Sequence, residues 1–298
     1  MRAIQDTDNN LVAALDLSDS VGVMDRFSQD IAFFTEFERF DRHGEKLRRR
    51  GEEDRLHYVS ICSPNYLHDA HIRFALRIGA DAICEKPLVL NPWNLDALSD
   101  FERESGRNIY SVLQLRLHPS IMALKEKIER KRQDTKYDID LAYITSRGRW
   151  YFTSWKGDPS KSGGIASNIG VHFFDMLTWI FGSCIRQRVH VTEDKRMAGI
   201  LELEKANVRW FLSVDRDDLP PEAANSGKST FRSITVDGDE IEFSEGFGDL
   251  HTMVYRDIMS GGGFGLEDSR QSIELVYELR NSGAVRASGD EVHPLAVK

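Results

Sequence analysis

The sequence predicts a doubly wound α/β domain over residues 1–115, followed by an α+β domain with an open antiparallel sheet over residues 116–298. Three observations carry this expectation. Up to about Leu115, short apolar runs alternate with stretches of helical apolar spacing, the rhythm of a parallel sheet with crossover helices. Beyond residue 139 several stretches instead alternate apolar and polar residues, as half-covered antiparallel strands do. The polar clusters of the first part fall where its apolar runs end, so a parallel sheet gathers them on the one edge where such sheets bind ligands.

Composition excludes several classes. A chain of 298 residues can hold two domains and a substantial core. Its net charge of -9 argues against a nucleic-acid partner and against an anionic membrane surface. No run approaches a membrane span and no signal peptide stands at Met1, so a cytoplasmic location is expected. Cys62, Cys84 and Cys184 are few, odd in number and without ligand spacing. They read as reduced core residues, and no metal site is expected.

In order, residues 1–6 read as the tail of a helix and Asp8-Asn9-Asn10 as a turn. Residues 11–15 form a strand ending in Asp16, the place where a dinucleotide-binding fold holds ribose hydroxyls. A glycine fingerprint would lie about 20 residues upstream, before Met1, and no G-x-G-x-x-G occurs. Either the domain lacks its first strand and phosphate loop, or Asp16 is only a turn residue. Residues 31–34 are a second strand and 36–50 a charged helix, whose basic end from Lys46 to Arg50 suits the helix dipole. Residues 58–62 are a buried strand that runs into Ser63, Pro64, Asn65 and His68. Ala70, Phe74, Ala75 and Ile78 give the next helix, with Gly79 as its C-cap.

Ala82-Ile83-Cys84 is an apolar run stopped abruptly by Glu85-Lys86-Pro87. Proline cannot donate to the ladder, so Lys86 is placed at the carboxyl end of a central strand. Lysines at such ends are often merely solvated, and position alone leaves the role open. Asn91 caps a helix with Pro92 in its first turn and Gly106 at its end, and residues 109–113 are one more strand. Gln114, Arg116 and His118 form the third polar cluster.

A helix to Arg130 leads into the second half, with strands at 139–147, 189–193, 198–203, 208–214, 233–236 and 240–243. Helices are expected at 169–181, 249–260 and 267–281. Gly163 and Gly164 permit a close backbone approach to a ligand. Asn168 and His172 stand four apart and share a face if the helix has begun by Asn168, which can equally be its N-cap. A lone histidine on an amphipathic helix is commonly a satisfied core residue.

Glu85-Lys86-Pro87, preceded by Ser63-Pro64-Asn65 and followed by Gly163-Gly164 and the Asn168-x-Gly170-x-His172-x-x-Asp175 run, resembles the glucose–fructose oxidoreductase/inositol dehydrogenase (Gfo/Idh/MocA) family. The resemblance extends over the chain after Asn10. It implies an N-terminal Rossmann domain, a C-terminal α+β domain with an open antiparallel sheet, and hydride transfer between a sugar carbon and NAD(P). The stretches 114–119, 151–157 and 263–268 are most similar to a narrower group, the UDP-N-acetylglucosaminuronate 3-dehydrogenases of bacterial O-antigen synthesis. That likeness implies NAD as cofactor, a UDP-sugar substrate, a homo-oligomer (tetramer or dimer) and a PLP aminotransferase acting on the product.

Carried over residue by residue, Asp16 holds the adenosine ribose, while Ser63, Pro64, Asn65, His68 and Gln114 line the cofactor. Glu85, Lys86 and Pro87 sit at the nicotinamide. Lys86 holds the reacting hydroxyl and the cofactor ribose, and His172 is the general base, a role suited to its pKa range. Asn168 stands where the broader family often has aspartate, which removes a negative charge facing an anionic substrate. Arg116, Lys156 and Lys161 are candidates for the substrate's anions, with His118, Trp155 and Asn168 beside them. Family members begin with a strand and a glycine-rich loop, so the resemblance also implies a shortened start and weak NAD binding. Two further readings remain, another sugar dehydrogenase of the family or a catalytically silent sugar-binding protein on the same scaffold.

Overall fold

The apolar runs of the first third form five short parallel strands, seen in a computed structural model that describes residues 1–19, 22, 24, 31–131, 135–241, 247–287 and 289–296. After α1 (Arg2–Gln5), β1 (Ala13–Leu15) pairs with β2 (Ala32–Phe34). α2 (Phe37–Arg50), β3 (Tyr58–Ile61), α3 (His68–Arg77), β4 (Asp81–Cys84), α4 (Pro92–Ser105) and β5 (Ile109–Ser111) follow, and their strands make a sheet ordered β3-β4-β5. Among the described residues no strand joins the two parallel sheets. Ala13, Leu15, Phe34 and Val59 instead share a cluster with Phe40, Phe74 and Ile78 of α2 and the α3 end.

β4 is central because its side chains are buried on both faces. Ala82 and Cys84 pack among Leu95, Leu98 and Ile273, while Ile83, pointing the opposite way, packs among Val112, Val254 and Ile258. The paired register sets Ile61, Cys84 and Ser111 in one row. The chain therefore leaves the three strands side by side.

A 3-10 turn (Gln114–Leu117) and α5 (Pro119–Arg130) lead to β6 (Tyr137–Thr145), α6 (Arg149–Thr153) and α7 (Pro159–Ser162). α8 (Val171–Phe181) is followed by β7 (Cys184–Thr192), β8 (Arg196–Leu203), β9 (Ala206–Ser213), α9 (Pro221–Asn225), β10 (Thr230–Val236) and β11 (Asp239–Glu240). The six strands are ordered β11-β10-β6-β9-β8-β7. This sheet is not antiparallel throughout: β6 and β9 run parallel, with Ile139 opposite Val208. Alternation reports which face of a strand is buried and carries no information on the direction of its neighbour. The long connection through α8 and the β7–β8 hairpin is what a parallel neighbour requires.

Both faces of the sheet are covered, where one was expected. Leu141, Val208 and Trp210 pack against Phe174 and Leu177 of α8, and Ile144, Ala198 and Phe211 pack beneath Leu219 and Leu295. The expected strand at 240–243 is seen as the two residues of β11, and 242 and 243 lie outside the described residues. Finally, α10 (Leu250–Met259) and α11 (Leu266–Asn281) return to the first sheet. Val254 and Ile258 pack on Ile83, and Leu266 and Ile273 on the Ala82 face. Among the described residues no helix is long and apolar enough to cross a membrane.

Candidate active site

The strand ends place Ser63, Glu85 and Gln114 along one edge, and the second half closes over it. His68 fastens two of the loops together: its Nδ1 lies 2.7 Å from the Pro87 carbonyl and its Nε2 2.9 Å from that of Ser63. Burial holds this imidazole below its usual pKa, and a neutral ring donates to only one of the two. Asn65 Nδ2 donates to the Ser162 carbonyl at 2.9 Å and so ties the Ser63–Asn65 loop to the glycine turn. Gly163 has φ +78°, and a Cβ there would sit 2.6 Å from the Ser167 side chain, so this turn needs glycine. Gln114 Oε1 is buried without a partner among the described residues. Asp16 is exposed and accepts from Ser18 N at 2.8 Å, the geometry of a turn beyond β1.

Lys86 Nζ donates to the main-chain carbonyl of Asn168 at 2.9 Å. Residues Ala166–Gly170 form a π turn that runs directly into α8, so Asn168 lies inside the helix and is not its N-cap. A π turn displaces carbonyls from the regular ladder, which suits one of them to take the ammonium. The Asn168 side chain donates to the Tyr151 hydroxyl at 2.8 Å. His172 stands four residues on. Its ring is part-buried, and among the described residues it makes no hydrogen bond.

The charges around these two groups set their protonation. Burial drives the Lys86 ammonium down to about 8, with Glu85 opposing and Lys156 and Arg147 adding. Burial, then Lys86, His251 and Arg232, press the His172 imidazole well below its usual range, so its ring is neutral and can accept a proton. Arg147, Arg232 and His251 were not legible as site residues. Arg147 follows β6 and Arg232 lies on β10 opposite Tyr143, and neither makes an ion pair among the described residues. Arg232 stacks on the Phe247 ring at 4.6 Å, and Lys156 lies over Trp150 at 5.1 Å and Trp155 at 5.7 Å. The Arg147-Gly148-Arg149-Trp150 stretch at a strand end was an available signal for the first. In a chain of net charge -9, the charges of Lys156 and Arg147 act on Lys86, and those of Lys86 and Arg232 on His172.

Three expected residues are committed elsewhere. Arg116 was a candidate for substrate anions, but its guanidinium is buried, bidentate on Asp175 at 2.8 and 3.0 Å, and bonded to Asp268 at 3.1 Å. His118 is the N-cap of α5, accepting from Ser120 N at 3.2 Å, and is 3% exposed. Lys161 is paired with Asp158 at 3.6 Å on the surface.

A parallel sheet with crossover helices is followed by a mixed sheet, and the strand-end lysine is held against the turn that opens α8, the helix of His172. The chain belongs to the Gfo/Idh/MocA oxidoreductase family. Residues 1–113 match the family's NAD-binding Rossmann fold and residues 125–218 its C-terminal alpha/beta domain. The WlbA (WbpB) dehydrogenase from Thermus thermophilus, solved in complex with NAD and UDP-GlcNAcA, is 48% identical, with a TM-score of 0.94 over 98% of this chain and 94% of that one. WlbA from Bordetella pertussis, in complex with NADH and UDP-GlcNAcA, shares the fold at 17% identity, with a TM-score of 0.73 over 93% of this chain and 88% of that one. Curated relatives match in part. Oxidoreductase cns1 of Cordyceps militaris is 29% identical over 42% of this chain and 16% of its own length. D-glucoside 3-dehydrogenase of Escherichia coli is 25% identical over 42% of this chain and 35% of its own length. The chain thus spans well under half the length of these two.

Proposed function

We propose that the chain is an NAD-dependent dehydrogenase that oxidises the C3 hydroxyl of UDP-N-acetylglucosaminuronate to the 3-keto sugar. The observation that carries this reading is Lys86, held by the Asn168 carbonyl at the opening of the helix that bears His172, whose ring makes no hydrogen bond among the described residues and feels the Lys86 charge. The near-complete likeness to a dehydrogenase solved with NAD and UDP-GlcNAcA supports it. The Ser63–Asn65, Glu85–Pro87 and Gln114 edge, with one buried amide oxygen lacking a partner, suits the nicotinamide end of the cofactor, and Asp16 beyond β1 suits the adenosine ribose. Bound NAD supplies the hydride acceptor.

Within this reading the chain's own groups move the proton. Lys86, held by the Asn168 carbonyl, donates a hydrogen bond to the C3 oxygen and fixes its position. His172 takes the hydroxyl proton as the C3 hydrogen leaves with its electron pair. A base works best with a pKa near the working pH. The substrate's carboxylate and diphosphate, entering among Arg147, Lys156 and Arg232, offset the cations that depress His172 and bring it back toward that range. Trp155 and Asn168 complete the substrate side.

Two outcomes follow here. Arg147→Ala raises KM for the UDP-uronate about 10-fold or more, as loss of a charge-assisted contact does. The same variant leaves UDP-N-acetylglucosamine, which lacks the carboxylate, less affected, and steady-state kinetics with both sugars check it. The ammonium of Lys86 is present below about pH 8 and is lost above it. A pH profile of kcat/KM therefore falls on the basic side near that value. The test of the whole reading is NADH formation with the UDP-uronate and with other sugars. Absence of NADH with every sugar overturns it.

The wider setting rests on the family resemblance. It comprises a cytoplasmic homodimer or tetramer, lipopolysaccharide O-antigen sugar synthesis, and a PLP aminotransferase acting next on the 3-keto product.

A further inference from the structure

The Glu85 carboxylate meets a residue that the reading above does not use. His251, in the first turn of α10, places Nε2 2.9 Å from Glu85 Oε1, a contact that closes across 166 residues of sequence. We propose that His251 is a positioning residue for the Lys86–His172 pair: as imidazolium it neutralises Glu85 and thereby sets the charge that both groups experience. The proposal rests on the dehydrogenase reading for its consequence in catalysis, and on the His251–Glu85 contact beside Lys86 for the coupling itself.

Several features of the contact argue for more than a surface ion pair. α10 is anchored, with Val254 and Ile258 packed on Ile83 of the central strand and the Tyr255 hydroxyl donating to Ser60 Oγ at 2.7 Å. The ring is thus held against the very turn that carries Lys86. A histidine in the first turn of a helix is disfavoured as a cation by the helix dipole. Its hydrogen bond to Glu85 prevails over burial and raises its pKa. Burial pushes the Glu85 carboxyl up, yet His251 and Lys86 together hold it below the usual carboxylate range. Glu85 thus keeps its charge to lower pH than an ordinary carboxylate, and His251 keeps its proton to higher pH than an ordinary imidazole.

Among the described residues, these titratable groups bear on His251. Glu85 and Lys86 act on it from the end of β4. His172 on α8 feels its charge. Asp249, at the cap of the same helix, is engaged by Arg2 at 3.0 Å, and Tyr255 by Ser60. Without the imidazolium, Glu85 stands unneutralised beside Lys86. Both Lys86 and His172 then become easier to protonate, so the neutral base is lost at a higher pH.

The experiment is a proton-NMR titration of the histidine rings in the protein without ligands, for the wild type, His251→Gln and Glu85→Gln, His172 being assigned with His172→Asn. Glutamine at 251 keeps a donor for Glu85 and removes only the charge. The expected result is a rise of the His172 midpoint by about half a pH unit in His251→Gln. A fall of the His251 midpoint below the ordinary imidazole value is expected in Glu85→Gln, because burial and Lys86 then act unopposed. In turnover, the acid limb of kcat/KM moves up with the His172 midpoint. A purely structural tie would lower thermal stability and leave the His172 midpoint where it was, and that result overturns the proposal. Because the titration needs neither cofactor nor sugar, it stands even if the chain forms no NADH, which would sink the dehydrogenase reading alone.

Discussion

His172→Asn is expected to lower kcat by roughly 10²–10⁴-fold, the range for removal of a general base, while the affinity for the UDP-sugar changes little. The ring makes no hydrogen bond among the described residues, so its removal strands no polar partner and leaves the fold intact. What disappears is the imidazole that this reading assigns as the proton acceptor. Asparagine occupies similar space and binds a proton far too weakly to substitute. Binding is carried by the surrounding cations, which the variant leaves in place, so the loss belongs in kcat. Stopped-flow NADH formation and calorimetric titration with the UDP-uronate separate the two. Turnover retained within a few fold moves the proton to another group, Lys86 first, whose ammonium already loses its proton near 8.

Arg116→Met is expected to cost about 3–5 kcal/mol of stability, the range for stranding one partner of a buried ion pair. Asp175 is 3% exposed at its side chain, and Arg116 meets it with two bonds. Burial pushes the Asp175 carboxyl up and Arg116 pulls it back. The guanidinium also bonds the Asp268 carbonyl at 2.7 Å and lies 5.1 Å from the Phe264 ring, so one side chain ties the Gln114–Leu117 turn to α8 and α11. Arg116→Met with Asp175→Leu restores much of the loss, because no lone charge then remains inside. Urea midpoints for the two variants measure this. Stability unchanged in the single variant, with binding of the UDP-uronate lost, would return Arg116 to the substrate.

Arg116 also shows what the fold adds to a reading of residues by motif. The stretches 114–119 and 263–268 belong together in the structure as the two sides of this buried tie. Asp268 both caps α11 through Gly265 N at 2.8 Å and receives Arg116. Gly263, at φ +102°, lies where a Cβ would sit 2.6 Å from the Tyr110 ring. Their distinctiveness is one of packing as much as of chemistry. His118 follows the same logic, since a residue before Pro119 with an acceptor nitrogen is an N-cap before it is a ligand.

The sequence by itself determined the local order of helices and strands, the strand-end position of Lys86 and the helical spacing of Asn168 and His172. These depend on apolar periodicity, on proline and on glycine, each of which acts within a few residues. Tertiary structure alone decided which charges are free. Arg116 is neutralised by residues 59 and 152 positions away, His251 reaches Glu85 across 166, and Arg147 and Arg232 arrive from two strands of the second sheet. It also decided that β6 and β9 run parallel. Coulombic fields and strand neighbours depend on distance in space, and a linear sequence records distance only along the chain.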